Sequence, residues 1–272
     1  CILKINRTGA AGMNELFRPP RVGRRAFKVW QRNRDTWLKF YRASLVGNLA
    51  EPILFLLAFG LGLSRFITEI DGMPYINYIA PGLMAAAVMN AATFECTFGA
   101  FTRMSAQKTY DAIMVTPVNI EEVAAGEILW GASKGFLSAT VILLILIPWG
   151  LADSSWIVAA PFLFFLEGLM FASLSLIVTA FSPSYDYFAY YFSLAVSPMF
   201  FFSGVFFPIS NLPGWVGTVS WFMPLYHAVK ISRALSTGNV SPALLLDALW
   251  MAVFTFVAAW LAVKLIKKRL VK

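Results

Sequence analysis

The stretch that decides the fold covers residues 103–135 and reads RMSAQKTYDAIMVTPVNIEEVAAGEILWGASKG. The apolar runs on both sides of it are long enough to cross a bilayer, so this polar stretch is predicted to leave the membrane and fold at its surface. Within it, Thr109 is predicted to cap a short helix over residues 110–115. Pro117 ends that helix, because proline lacks an amide donor and disfavours helical geometry in the residue before it.

A second helix is predicted to begin at Asn119. Glu122 stands three residues further on, which is the spacing of a capping box. The apolar residues that follow at helical spacing are Ile120, Val123, Ala124 and Ile128. This apolar face indicates a helix that leads into the next span, whereas the helix over residues 110–115 is predicted to be a docking element. On these residues alone, an ordinary surface loop of a membrane protein remains open as the alternative.

The composition of the chain places it in lipid. Of its 272 residues, 59% are hydrophobic and only 13% are charged, which is too much apolar surface for one soluble core. The two cysteines, Cys1 and Cys96, have neither disulfide nor metal-ligand spacing, and the lone His227 has no ligand partner in sequence. Metal and thiol chemistry are therefore not expected, and neither is a cofactor bound by this chain.

Positive charge is concentrated in three regions. Of the 22 lysines and arginines, 11 lie in residues 1–43, 3 in residues 103–135 and 5 from Lys264 onward. These regions flank the predicted spans, as the positive-inside rule describes for cytoplasmic segments, so the net charge of +8 needs no nucleic-acid ligand. Such a surface can also attract anionic lipid headgroups, at roughly 1 kcal/mol per charge.

The N-terminal region divides into two parts. Residues 1–23 are predicted to be a flexible tail, in which residues 1–12 look unlike the rest and are treated as an upstream extension. From residue 24 to residue 43, aromatic residues such as Trp30 alternate with basic ones such as Arg32. This pattern predicts an amphipathic helix in the membrane interface, with a soluble lead-in to the first span as the alternative.

Six transmembrane helices are predicted, each near the ~20 residues that a ~30 Å hydrocarbon core requires. They cover residues 44–63, 78–98, 135–151, 157–180, 188–207 and 244–266. With this number of spans, all three basic regions fall on one side of the membrane, so both termini are predicted to be cytoplasmic. The predicted fold class is an all-α integral membrane protein, with a membrane domain over residues 44–272.

Residues 208–243, between the fifth and sixth spans, are too apolar for a plain extracellular loop. Prolines at positions 208, 213 and 224 predict a series of short pieces. Backbone that is not continuous helix can lie at membrane depth only where protein or a water-filled cavity satisfies it. A pair of short re-entrant helices on the outer side is therefore predicted, with an aromatic lid anchored in the headgroups as the alternative.

Ionisable residues inside spans are costly and indicate function or buried pairing. Glu167, near the middle of the fourth span, is the clearest case, and Glu51 lies within the first span. For Glu167, a buried structural role and a position on a hydrated path both remain open. The candidate residues for a substrate path are Glu51, Glu167, Ser197, Phe201, Ser203, Trp215 and Trp221.

Missing motifs exclude several function classes. No G-x-x-x-x-G-K-[ST] sequence occurs, so the chain is not expected to bind ATP phosphates itself. Neither a dense acidic cluster that would hold magnesium nor an ordered Ser/His/Asp set is present in the sequence. No catalytic residues are therefore predicted.

The segment KTYDAIMVTPV, residues 108–118, resembles a short pattern in the first cytoplasmic loop of type-2 ABC export permeases. The wider similarity covers nearly everything after the N-terminal tail. It includes GNLAEPILFLLAFGLGL, YIAPGLMAAAV, EEVAAGEILWGASKG and FFFSGVFFPISNLP. These segments are similar to the NodJ-like branch of this family, the permeases of lipo-oligosaccharide exporters.

The resemblance implies a permease subunit of the bacterial inner membrane that works as a homodimer with two copies of a separate ATPase. ATP and magnesium would then be bound by the ATPase. The residues that would form the coupling helix are Thr109, Tyr110, Asp111, Ile113, Met114, Thr116 and Pro117. The implied cargo is a lipo-oligosaccharide or a lipid-linked glycan. The alternatives are a drug or small-lipid exporter of the same fold and a membrane enzyme acting on lipid-linked sugars.

Overall fold

The structure, a computed structural model, describes residues 20–151 and 154–271. The predicted extension over residues 1–12 and most of the predicted tail therefore lie outside the described residues. The first described helix, Ala26–Leu38 (α1), falls where an interfacial helix is predicted. It packs against the first turns of α5, defined below, through Val29 and Asn33, which are both buried.

The chain is mostly helical after α1. Its helices are Tyr41–Phe55 (α2), Tyr75–Phe94 (α3), Thr109–Met114 (α4), Ile120–Leu146 (α5), Ala160–Phe181 (α6), Asp186–Tyr191 (α7), Ser197–Phe202 (α8), Gly214–Trp221 (α9), Pro224–Thr237 (α10) and Leu244–Leu270 (α11). Several continue as π- or 3-10 helix: α2 through Leu56–Gly62 and Leu63–Arg65, α3 through Glu95–Gly99 and Thr102–Ala106, α5 through Ile147–Trp149, and α7 through Phe192–Val196 into α8. Short 3-10 turns cover Ser155–Ala159 and Ile209–Asn211, and the strands Glu69–Ile70 (β1) and Met73–Pro74 (β2) pair antiparallel.

Within the described residues, five helices are long and apolar enough to cross a membrane. They cover Tyr41–Gly60, Tyr75–Ala106, Ile120–Trp149, Ser155–Phe181 and Leu244–Leu270. The chain is thus a multi-pass, helical membrane protein. The second and third of these helices extend well beyond the predicted boundaries of 78–98 and 135–151.

Residues 103–135 contain the two predicted helices, and the second leads into the next long helix as predicted. Arg103 lies in the helical continuation of α3, and the chain from Ile120 onward belongs to α5. The connection between the two spans is therefore confined to about residues 107–119. The charged residues in these helices pair with one another inside the protein.

The core of the bundle lies where α3, α5, α6 and α11 pack together. Small residues let these backbones approach closely. A Cβ on Gly168 would lie 2.8 Å from the carbonyl oxygen of Ala132, and a Cβ on Gly135 would lie 2.8 Å from Cγ1 of Val88. In contrast to the enclosed α3, the span that begins with α2 leaves most of its surface uncovered.

The fifth predicted span, residues 188–207, is interrupted before its predicted end. Its helix stops at Phe202, and Gly204 adopts a left-handed backbone conformation with a φ of 78°. The Ser220 hydroxyl donates to the Phe202 carbonyl at 2.6 Å, and Arg233 Nη2 donates to the Gly204 carbonyl at 2.7 Å. Protein donors therefore satisfy carbonyls released at the break, which is the condition for non-helical backbone at membrane depth.

The prolines of the 208–243 segment stand at the starts of its short helical pieces. Pro208 precedes the 3-10 turn Ile209–Asn211, Pro213 precedes α9, and Pro224 is the first residue of α10. The α10 helix is largely buried and packs against α3 and α11. The α9 helix is more exposed. Two short helices thus occupy the segment for which a re-entrant pair is predicted.

Candidate functional site

The short helix α4 lies at the end of the bundle that also carries α1 and the last turn of α11, called the basic end below. The chain enters α4 through Lys108, whose φ of 53° is left-handed. The prediction that Thr109 caps α4 is wrong. Thr109 is itself the first helical residue, and its side chain makes no capping hydrogen bond. The helix ends at Met114, and the Thr116 hydroxyl donates to a carbonyl of the last turn at 2.6 Å.

The capping box predicted at the start of α5 is confirmed. The Glu122 amide donates to Asn119 Oδ1 at 2.8 Å, and the Asn119 amide donates to Glu122 Oε2 at 3.0 Å. The four apolar residues predicted to share one face, Ile120, Val123, Ala124 and Ile128, are all buried. The capping box therefore fixes the start of α5, and the turn that follows α4 ends at Asn119.

The α4 helix has a buried face and an exposed face. Tyr110 is only 1% exposed, and Ile113 and Met114 pack against the core. On the other side, Asp111 is exposed and Val115, just after the helix, is 87% exposed. This corrects the expectation that Tyr110 inserts into a partner protein, because its ring is already enclosed by this chain. Burial raises the pKa of the Tyr110 phenol well above its usual range, and so the side chain is neutral.

Four ionisable residues form what we call the charged cluster, and two of them, Arg103 and Glu127, lie near Tyr110. Glu95 and Arg103 come from the π-helical continuation of α3, whereas Glu127 and Lys134 come from α5. Arg103 Nη1 lies 2.8 Å from Glu95 Oε1, and Arg103 Nε donates to Glu127 Oε1 at 3.1 Å. Their side chains are 14% exposed or less. A π-helical turn adds a residue and so re-aims side chains, which is why such turns recur at functional sites.

The charged cluster connects α1 with α4. Asn33 Nδ2 on α1 donates to Glu127 Oε1 at 3.1 Å. The neighbouring Arg32 donates through Nη2 to the Thr109 hydroxyl at 3.4 Å, at the start of α4. Burial lowers the pKa of Arg32, whereas the nearby Glu127 carboxylate acts in the opposite direction. The polar contacts therefore run from the first turn of α4 into the bundle.

The same cluster connects to α2. Lys134 Nζ lies 3.8 Å from Glu95 Oε2 and donates to the Ser44 hydroxyl on α2 at 2.6 Å. It also lies 5.6 Å from the centre of the Trp37 ring, within the range of a cation–π contact. The spans that begin with α2, α3 and α5 thus meet α1 and α4 through one set of polar contacts.

A polar cleft of about 430 Å³ opens between α2, α3 and the α7–α8 helix. Its polar groups are the Glu51 carboxylate, the Asn90 amide and the Ser197 hydroxyl. The aromatic residues that line it are Phe94, Phe192 and Phe200. Two of the predicted path residues, Glu51 and Ser197, therefore face one cavity, and Asn90 is a third polar group that sequence reasoning missed.

The other predicted path residues lie elsewhere. Phe201 belongs to an aromatic group beside the cleft, with its ring 5.4 Å from that of Phe200. Ser203 is buried at the helix break. Trp215 is 67% exposed and Trp221 is 47% exposed, both on α9. The structure therefore does not bring these residues into the polar cleft.

Glu167 is enclosed in α6 with no exposed surface. Neither of its carboxyl oxygens has a hydrogen-bond partner among the described residues. It does not line the polar cleft. The burial allowed for by the sequence is present, and no Ser or Thr donor contacts the carboxyl group in the described part of the chain. An isolated buried carboxyl favours the neutral acid, since an unpaired charge is very costly there.

The burial of Glu167 without a hydrogen-bond partner predicts the effect of replacing it. An unpaired polar group gives little net stabilisation, so we expect Glu167→Gln and Glu167→Leu to fold and insert normally, with Leu equal to or slightly more stable than the native residue. Thermal unfolding of the purified protein in detergent would measure this. Loss of transport in both variants at normal stability would instead show that Glu167 has a functional role.

His227 takes part in a buried polar group at the opposite end of the bundle from α4. Its Nδ1 lies 2.8 Å from Asp247 Oδ1, and its Nε2 donates to the Trp221 carbonyl at 2.8 Å. Lys230 Nζ lies 2.8 Å from the other Asp247 oxygen, as an ion pair. Both ring nitrogens are thus engaged. Across residues 20–151 and 154–271, no group of three or more His, Cys, Asp or Glu residues is placed to hold a metal ion.

The helical membrane bundle agrees with the result of sequence comparison. The chain belongs to the ABC-2 type transporter family, whose sequence profile matches residues 27–236, and it is therefore a membrane permease. It is 37% identical to Nodulation protein J of Rhizobium meliloti (strain 1021) over 242 residues, which are 89% of this chain and 92% of that protein.

Two further relatives show how far the similarity extends. Nodulation protein J of Bradyrhizobium diazoefficiens is 36% identical over 246 residues, covering 90% of this chain and 93% of its own length. Inner membrane transport permease YadH of Escherichia coli (strain K12) is 22% identical over 205 residues, covering 74% of this chain and 78% of its own. The similarity to Nodulation protein J is therefore both higher and longer.

Proposed function

We propose that this chain is the permease subunit of an ATP-driven exporter and that α4 is the helix through which a separate ATPase moves it. The observation that carries the proposal is that α4 has one buried face and one exposed face. Tyr110 fixes one face to the charged cluster, whereas Asp111 and Val115 leave the other face open to a partner. ATP and magnesium would be bound by the ATPase.

Motion would pass from α4 to the spans through the charged cluster. Pressure on the exposed face of α4 would move Thr109 and Tyr110. Thr109 accepts a hydrogen bond from Arg32, and Tyr110 lies beside Glu127. Buried ion pairs resist separation, because a separated charge would remain unpaired in a medium of low polarity. The helices joined by the cluster would therefore shift together, and α2 would shift with them through Ser44.

In a homodimer, the second copy would shield the polar cleft from lipid. Glu51 is exposed on α2, which leaves most of its surface uncovered in a single chain. A carboxylate on a membrane-facing surface is unfavourable, whereas a second copy related by a two-fold axis would shield it in a shared path. We therefore infer two permease copies and two ATPase copies in the complex.

The cargo we propose is an amphiphile, most specifically a lipo-oligosaccharide. The polar groups and aromatic rings of the polar cleft suit a sugar headgroup, and the greatest similarity reported above is to proteins named Nodulation protein J. A drug or small-lipid exporter of the same fold is the second candidate. Family membership disfavours the membrane-enzyme alternative.

Orientation and span number follow from the basic end. With α1, α4 and the last turn of α11 in the cytoplasm of a bacterial inner membrane, the basic residues obey the positive-inside rule. The interrupted helix that begins at Asp186 would then be an additional, shorter span, the fifth in chain order, which brings the total to six. The helices α9 and α10 would form the re-entrant pair on the outer side.

Reporter fusions test this topology. Fusions at Gly72 and Gly238 should report the outside, and fusions after Lys108 and Ser184 should report the cytoplasm. The corresponding fusions at positions 153 and 272 lie outside the described residues but carry the same expectations, outside and cytoplasm. A cytoplasmic signal at Gly238 would remove the span that begins at Asp186 and reverse the assignment of α9 and α10.

Coupling is tested by co-purification of the permease with its partner ATPase. Val115→Asp with Asp111→Lys changes only exposed groups of the α4 region, so the permease should insert normally and fail to retain or stimulate the ATPase. Central interface contacts of this kind are commonly worth about 2 kcal/mol each.

The matched control is a double change at the opposite end of the bundle. Trp215→Ala with Trp221→Ala removes two exposed aromatic rings and should leave ATPase association intact. If the α4 variant kept its ATPase while the tryptophan variant lost it, the proposed coupling role of α4 would be wrong.

A further inference from the structure

A second cavity, which we call the α1 pocket, lies at the basic end of the bundle. Its volume is about 360 Å³. The α1 helix contributes Arg32 and Trp37 to its lining, the end of α3 contributes Phe94, and the π-helical continuation of α3 contributes Arg103. The proposed export function assigns no ligand to this pocket.

Arg32 brings a positive charge to the α1 pocket that no carboxylate contacts. None of the ion pairs within residues 20–151 and 154–271 includes this partly buried side chain. Its guanidinium group donates to Asn33 Oδ1 at 2.9 Å and to the Thr109 hydroxyl at 3.4 Å, and both acceptors are neutral. A guanidinium group has more N–H donors than these contacts use, so donors remain for an anion.

The other charged groups at the pocket are already paired. Glu95, which also lines the pocket, lies 2.8 Å from Arg103 Nη1 and 3.8 Å from Lys134 Nζ. Arg103 Nη2 lies 2.5 Å from Glu127 Oε2. With Arg32, these groups carry three positive and two negative charges, a net charge of +1. A ligand with one negative charge would balance them.

Two of the aromatic residues that line the pocket are exposed. Phe40 is 68% exposed and Phe94 is 55% exposed. The pocket lies where α1, which has the sequence pattern of an interfacial helix, meets the spans that begin with α2 and α3. Lipid headgroups lie at this level of a membrane, and exposed rings there contact the upper parts of acyl chains. A cationic pocket edged by exposed rings therefore fits a phospholipid better than a soluble phosphate compound.

We propose that the α1 pocket binds the phosphate group of an anionic phospholipid, of the class of phosphatidylglycerol, and that this lipid holds α1 against the end of α3. Arg32 would donate to the phosphate through its planar fork of N–H groups. The amide of Gln107, also in the lining, can exchange hydrogen bonds with the headgroup hydroxyls. Phosphatidylethanolamine would instead add an ammonium group where the Glu95 carboxylate is already paired. The lipid is a membrane component and not the cargo, so the inference does not depend on what the permease transports.

Native mass spectrometry of the purified permease tests the site in the native protein. With phosphatidylglycerol and phosphatidylethanolamine of matched acyl chains at equal concentration, one phosphatidylglycerol should be retained with at least about ten-fold preference. A phosphatidylglycerol probe with a diazirine near the headgroup should label peptides that contain Phe40 or Gln107. Glycerol 3-phosphate at the same concentration should not displace the lipid, whereas displacement would show that a soluble phosphate compound is the ligand.

Substitutions on α1 separate a specific site from general attraction to a basic surface. Arg32→Gln should lower the retention of phosphatidylglycerol about ten-fold, and Arg32→Lys, which keeps the charge without the fork, should give an intermediate value. The matched control is Lys28→Gln, which removes the same charge from an exposed position on the same helix, outside the pocket. Because exposed charges are screened, this control should change retention by less than about two-fold.

Three outcomes would overturn the inference. Equal losses in Arg32→Gln and Lys28→Gln would mean that α1 attracts anionic lipid without a specific site. Equal retention of the two lipids by the native protein would mean that the pocket does not select for negative charge. Labelling confined to peptides outside the pocket would place the lipid elsewhere. The last two outcomes are measured on the native protein, so they stand even if Arg32→Gln fails to fold.

Discussion

Replacing Arg103 with methionine should lower the unfolding free energy of the permease by about 3–5 kcal/mol, the usual cost of removing one partner from a buried ion pair. Arg103 lies between Glu95 and Glu127, and the Glu127 side chain is only 1% exposed. Its removal would leave the Glu127 carboxylate with the Asn33 amide as a donor, a neutral group that does not compensate a charge. Thermal unfolding in detergent, followed by size-exclusion chromatography, measures the loss.

The matched control for Arg103→Met is Lys267→Met. Lys267 also pairs with a carboxylate, Glu121, at 2.9 Å, but its side chain is 41% exposed. Water screens the exposed Lys267 end of this pair, and the 6% exposed Glu121 side chain keeps the Arg21 amide as a donor, so this change should cost less than Arg103→Met, about 1 kcal/mol. Equal stability of the two variants would show that the charged cluster is not a tightly coupled element of the bundle.

Truncation of Tyr110 to alanine should release α4 from the bundle. The Tyr110 side chain is almost completely buried, and large aromatic residues commonly lose about 3–5 kcal/mol on truncation to alanine in a protein core. Because the contact is local, α4 should detach while the spans remain folded. Limited trypsin digestion would detect this as faster cleavage after the exposed Lys108, and the variant should retain less ability to stimulate the ATPase.

Tyr110→Phe is the control for this truncation. It keeps the ring and removes only the hydroxyl, so α4 should remain docked and cleavage after Lys108 should stay slow. If Tyr110→Ala were as resistant to trypsin as the native protein, the buried face of α4 would not be what fixes this helix to the spans.

Local patterns could be predicted from the sequence where the cause itself is local. The capping box of Asn119 and Glu122 is such a case, because both partners lie within one helical turn. The short pieces that begin at Pro213 and Pro224 are another, because proline acts on its immediate neighbours. The burial of Glu167 followed from its central place in a strongly apolar span.

What could not be predicted depends on contacts between distant residues. Arg103 and Glu127 are 24 positions apart, so their pairing depends on how two long helices pack and not on the local sequence. The inward direction of Tyr110 likewise depends on the helices that surround α4. Asn90 was not predicted as a path residue, because in the sequence it is a single amide in an apolar run. Only the fold places it beside Glu51 and Ser197.

The central claim is that the exposed face of α4 contacts the ATPase, and site-specific photocrosslinking tests it most directly. A photoreactive phenylalanine analogue placed at Val115, in membranes that contain both proteins, should form a covalent product with the ATPase. The same analogue at Trp215, which is also exposed but lies on α9, should form none. A product from position 215 and none from position 115 would contradict the account.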